Sequence, residues 1–238
     1  MQVENFRGRG GAPVVARAVD AEVAPTPKTV VLTSRFQATD DYSGALATLE
    51  EGARVGEELV RTKPTRDVRL YLCRCDSSMA SNLVDMSRAE DALKAELRAT
   101  EILQKLVDDD PRDLEAKNSL ANSHFTRSYV LSLYLNKPGD SLKALELARK
   151  MENELVAADP ERQEYKRVLC EIDSNLGVTR LQQGEPNLAF AVLEEGRETI
   201  EKLVAAEPNV TLFQTLHGEI LGNLRVCPGS FPEKKDGG

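Results

Sequence analysis

A phrase of the form Leu-Val-x-x-x-Pro returns four times along the chain: "EELVRTKP" at 57–64, "QKLVDDDP" at 104–111, "NELVAADP" at 153–160 and "EKLVAAEP" at 201–208. Its prolines, Pro64, Pro111, Pro160 and Pro208, stand 47, 49 and 48 residues apart. Spacing this regular marks repeated structural units. Each unit is too small to bury its own apolar face, so the units must stack on one another.

Counting back from each leucine aligns twenty residues without gaps: 40–59, 87–106, 136–155 and 184–203. The sixth position holds Ala45, Ala92, Ser141 and Ala189, and the thirteenth holds Gly52, Ala99, Ala148 and Gly196. With apolar residues at positions 7, 10, 16 and 17 between them, this is the spacing of one helix face. Glycine inside a helix costs about 1 kcal/mol relative to alanine. Its place at position 13 in two copies implies that a neighbouring helix passes close by. A second helical stretch follows each proline; after Pro160, Val168, Leu169, Ile172, Leu176 and Leu181 keep three- and four-residue steps. "NKPGD" at 136–140 and "QGEPN" at 183–187 supply turns between paired helices. Asp110-Pro111 and Asp159-Pro160 suit helix junctions, with Asp as a cap and proline in the first turn.

Composition agrees with helices. Aromatic residues make up 5% of 238 residues and tryptophan is absent, which disfavours sandwiches and barrels. No stretch approaches 18 continuous apolar residues, and the N-terminus lacks a run of signal-peptide length, so a cytoplasmic protein without membrane contact is expected. The net charge of −8 disfavours nucleic acid as a partner.

On these residues the chain resembles the tetratricopeptide repeat (TPR) family. That family's 34-residue unit carries Leu-Gly in its first helix, two small residues seven apart in its second, and a closing proline. The fourth unit follows this pattern with Leu176, Gly177, Ala189, Gly196 and Pro208, and the second with Met79, Ala80, Ala92, Ala99 and Pro111. The third puts Ser128 and Tyr129 where Leu-Gly is expected, so its first helix or loop is shifted; in the first, Leu32 fits, but the first helix has room only for about residues 27–37. The resemblance implies an all-α, right-handed TPR-like solenoid of about four hairpins with longer helices, closed by a C-terminal capping helix. The expected organisation is a flexible tail over 1–26, units over 27–64, 65–111, 112–160 and 161–208, a cap over 209–226 and a tail over 227–238. The long units also resemble the repeats trailing bacterial serine/threonine kinases. That likeness implies a regulatory or sensor segment of a signalling protein, with a kinase domain in the parent, although no kinase motif stands in this chain.

No residue pattern points to catalysis, and neither a cofactor nor a metal is expected. "FRGRGG" at 6–11 is one short copy with no basic domain behind it. His217-Gly218-Glu219 lacks the Pro-Cys-x-x-Cys half of a zinc deaminase. Cys73 and Cys75 point about 200° apart on a helix, poorly placed to share a metal. "DDDP" at 108–111 reads as a solvated cap. The expected function is a noncatalytic scaffold that binds a protein or peptide partner on the concave face, which first helices line. Arg74, Ser78, Ser81, Arg127, Tyr134, Asn175 and Arg180 are the candidate partner-binding residues near that register.

Overall fold

The computed structural model describes residues 42–227. The tail expected over 1–26, the short helix with Leu32 expected before residue 38 and the chain after Cys227 lie outside the described residues. Eight α-helices run through the described residues: α1 Tyr42–Thr62, α2 Arg66–Asp85, α3 Ala89–Asp109, α4 Leu114–Tyr129, α5 Pro138–Ala158, α6 Gln163–Gln182, α7 Pro186–Ala206 and α8 Thr211–Arg225. Each packs against the next in sequence, so α2–α3, α4–α5 and α6–α7 are hairpins with α1 before them and α8 after.

The four prolines all stand in corners, just beyond a second helix. They act by stopping that helix, and the next one opens two or more residues later. The residue before a proline is kept out of helical backbone: Asp110 is extended, and Asp159 and Glu207 lie close to it, with φ of −140°, −137° and −133°. Asp110 and Asp159 are therefore C-terminal caps, not the N-terminal caps read from sequence. The N-cap that opens α4 is Asp113, whose carboxylate accepts the Ala116 amide at 3.0 Å. Thr65 does the same for α2 by accepting from Val68 at 3.4 Å. Within the hairpins, proline at the first turn of α5 and α7 costs nothing, because no amide is needed there. The turns before α3, α5 and α7 each place one residue in left-handed backbone: Ser87, Asn136 and Gly184 at φ 61°, 50° and 77°. Gly184 and Asn136 are residue types that adopt this geometry readily, and Ser87 is not.

Small residues set the helix approach. Ala45, Ala92, Ser141 and Ala189 are buried, as are Gly52, Ala99, Ala148 and Gly196. A Cβ on Gly196 would lie 3.1 Å from the Asp173 Cβ and 3.5 Å from Ile220. At Gly177 it would lie 2.4 Å from Cγ of the buried Leu193, closer than real side chains approach. The close approach inferred from glycine at position 13 is thus present at Gly196, and Gly177 on α6 shows a tighter one. The leucine of the repeated phrase is core in three copies, with Leu106, Leu155 and Leu203 buried, while Leu59 is 38% exposed.

The shifted third unit has a local cause. Counted from the N-caps Thr65, Asp113 and Arg162, the same step reaches the small buried residues Ala80, Ser128 and Gly177. From there the α4–α5 hairpin needs one residue more to reach its next small position, Ser141, than the other two need to reach Ala92 and Ala189. A π-helical turn at Val130–Tyr134 absorbs the extra residue, with the Leu135 amide reaching back to the Val130 carbonyl at 3.2 Å. The Ser141 hydroxyl then donates to the Ser128 carbonyl at 2.9 Å, satisfying both in the core.

Candidate functional site

The same count from the N-caps defines a face that runs across the first helices and α8. Nine residues on stand Arg74, Asn122, Glu171 and Glu219; thirteen on stand Ser78, Thr126, Asn175 and Asn223; sixteen on stand Ser81, Tyr129, Val178 and Val226. Steps of four and three keep the three rows on one side of each helix. All twelve are half-buried or exposed, while their neighbours Leu72, Leu120 and Leu169 turn into the core. The middle row is uncharged and carries hydroxyls and carboxamides throughout. Asn175 spends one donor on the Glu171 carbonyl at 2.8 Å, and Asn223 ties α8 to α6 through Ser174 at 3.0 Å.

Arg74, Ser78, Ser81 and Asn175, four of the seven residues named from sequence, fall in these rows. Arg127 and Arg180 do not. Arg127 takes the position that Met79 and Leu176 hold in the neighbouring hairpins, and its half-buried guanidinium faces Glu96 and Asp140 on α3 and α5. Burial pushes its pKa down, against the pull of those two carboxylates. Arg180 lines a cleft of about 380 Å³ between α5 and α7, floored by Leu176, and bonds Glu146 and Glu185 at 2.8 Å each. Tyr134 ends the π turn, its ring 5.9 Å from that of Tyr129. Asn122, Thr126, Glu171, Glu219 and Asn223 belong to the face and were not singled out. Counting from the N-caps would have found them; counting back from the second helices misplaces α4 by one residue.

Behind the face lies a polar interior. Arg98 holds the buried Asp76 at 2.7 Å, and Arg149 bridges the buried Asp173 and the exposed Glu195 at 2.6 Å each. Burial raises both aspartates, Asp173 to about 6, with the arginines pulling the other way. Glu96 accepts from Ser123 at 2.7 Å, and Ser123 also meets Thr100 at 2.8 Å. Its other oxygen has no partner among the described residues, and burial lifts it to about 7. Glu152 is fully buried with both oxygens unpartnered, and burial lifts it to about 8. His124 is held down to about 4, first by burial and then by Arg127. The Arg98–Asp76, Arg149–Asp173 and Ser123–Thr100 bonds tie helices together, while Glu96, Glu152 and His124 are buried away from solvent.

The cysteines are structural as well. Cys73 and Cys170, equivalent in α2 and α6, donate to the Ala99 and Gly196 carbonyls at 3.7 and 3.5 Å. Burial pushes the Cys73 thiol up to about 12 and Cys170 further, so neither is a nucleophile at neutral pH. Among the described residues no three His, Cys, Asp or Glu side chains are gathered to hold a metal. No helix among them is long and apolar enough to cross a membrane.

Known structures carry the same architecture. The apo form of RapI matches at 16% identity over 88% of this chain and 72% of its own, with a TM-score of 0.60. The TPR-like repeats of a putative kinesin light chain from Podospora anserina match at 12% identity over 82% and 93%, with a TM-score of 0.55. BtubC (BKLC) from P. vanneervenii matches at 14% identity over 80% and 77%, with a TM-score of 0.51. The fold is therefore a TPR-like helical repeat. No protein-family model matches the sequence, and no curated protein matches it either.

Proposed function

We propose that this protein is a noncatalytic interaction scaffold whose first-helix face holds an extended peptide or a partner segment. The middle row, Ser78, Thr126, Asn175 and Asn223, carries this reading. It repeats small hydrogen-bonding side chains once per unit on a part-exposed surface. Hydroxyls and carboxamides both donate and accept, which suits the alternating amides and carbonyls of a bound main chain. The helices that present them are fixed by packing, so little ordering cost attends binding.

Affinity capture with mass spectrometry tests the proposal, using the full chain as bait. Asn122→Arg with Asn175→Arg fills the face with bulk and charge, whereas Lys150→Glu alters the cleft between α5 and α7. Partners are expected to survive Lys150→Glu and to be lost from the double variant. The opposite pattern would place binding on the second helices.

A further inference from the structure

The outer row of the same face changes charge along the array: Arg74 on α2, Asn122 on α4, Glu171 on α6 and Glu219 on α8. At the α2 end, the Arg74 guanidinium is about one-third exposed. Its nearest carboxylate, Glu115, stands 4.0 Å away, beyond hydrogen-bond range, and Glu115, Asp113 and Asp67 all pair with Arg66, so none of the three bonds Arg74. Arg74 therefore presents unspent donors. At the other end Glu171 and Glu219 hold the same row on α6 and α8, which pack together and are tied by Asn223 to Ser174 at 3.0 Å. One guanidinium, Arg167, pairs with Glu171, and Glu219 forms no ion pair among the described residues. Two carboxylates thus share one cation there. Glu164, a turn or two before Glu171, is itself met by Arg162 at 3.6 Å and leaves that excess in place.

Resting on the scaffold reading above, we infer that the face takes an extended peptide of about nine residues that is acidic at the Arg74 end and basic at the Glu171–Glu219 end. A nine-residue extended chain reaches about 30 Å, roughly three helix diameters. The neutral Asn122 leaves the middle of the peptide free of a charge requirement. Such a gradient fixes the direction in which the chain lies, because the reverse order puts like charges together at both ends.

Three fluorescent nine-residue peptide libraries, randomised at the five central positions, test the inference by anisotropy with the full chain. One has two aspartates at its N-terminus and two lysines at its C-terminus, the second has these ends exchanged, and the third has serine at all four places. One of the charged libraries is expected to bind about tenfold or more tightly than the other two. Arg74→Glu should abolish that preference, and Arg74→Glu with Glu219→Lys should transfer it to the library with exchanged ends. Both positions are surface sites, so the double variant also controls for folding. Equal binding of all three libraries, or a preference untouched by the exchange, overturns the charge gradient and leaves the scaffold reading standing. Binding by none of the three overturns both.

Discussion

Leu203→Ala is expected to lower the free energy of unfolding by about 2–5 kcal/mol, and Leu59→Ala by about 1 kcal/mol or less. The two leucines hold the same place in the repeated phrase, so helix propensity and sequence neighbours nearly cancel in the comparison. What differs is packing. Leu203 belongs to the core shared by α6, α7 and α8, with Ile200, Phe213 and Leu216 among its members. Leu59 stands on α1 with more than a third of its surface open. Truncating a buried leucine loses its transfer energy and leaves a cavity, and an open site loses little of either. Urea unfolding followed by circular dichroism measures both variants. Equal losses would mean that burial does not set the energetics of this phrase.

A comparable effect, of opposite sign, is expected at Glu152. Position 17 of the second helices carries Leu103 in α3 and Ile200 in α7, both buried, and Glu152 in α5. Its carboxyl lies among Glu164, Tyr165, Arg167 and Glu171 of α6, and Arg167 is already committed to Glu171. The carboxyl is folded in its protonated form, with a pKa of about 8 against 4.5 for a free glutamate. A raised acid pKa contributes stability that is complete below about 4.5 and is lost as pH rises towards 8. Glu96 and Asp173, raised to about 7 and 6, act in the same sense and level off sooner. His124, lowered to about 4 from 6.5, acts oppositely, losing its contribution as pH falls through that lower range. Glu152→Leu should therefore stabilise the array by about 1–3 kcal/mol at pH 8 and by less at pH 5. A difference that stays constant across that range, or a loss of stability at pH 8, would contradict the assignment.

The repeat made the architecture readable because each unit solves the same packing problem with similar residues. Position 13 stays small wherever a neighbouring helix crosses, and Leu106, Leu155 and Leu203 recur where the second helix meets the core. The shift of the third unit was readable from Ser128 and Tyr129, but the form each departure takes was not, since each is a local exception that the surrounding helices stabilise. The extra residue after Ser128 vanishes into a π turn, so counting back from α5 assigned to Arg127 the place that Thr126 holds, about 100° round the helix. Arg180 is drawn into the α5–α7 cleft by Glu146 and Glu185, carboxylates from two other stretches of chain. Glu96 and Glu152 stand at positions 10 and 17, which the repeat spacing marks as apolar, but the sequence does not show whether such a glutamate turns out to solvent or, as here, stays buried. The register of Arg74, Ser78 and Ser81 is unaffected by these shifts, because α2 carries no extra residue.

The placement of the binding face is tested most directly by amide hydrogen exchange on the full chain, with and without the partner recovered by capture. The account predicts slowed exchange on binding in segments 74–81, 122–129 and 171–178 of the first helices and around 219–223 of α8, with α3, α5 and α7 unchanged on their outer sides. Protection confined to α5 and α7 around Glu146, Lys150 and Leu188 would contradict it and move the binding surface to the cleft between the second helices.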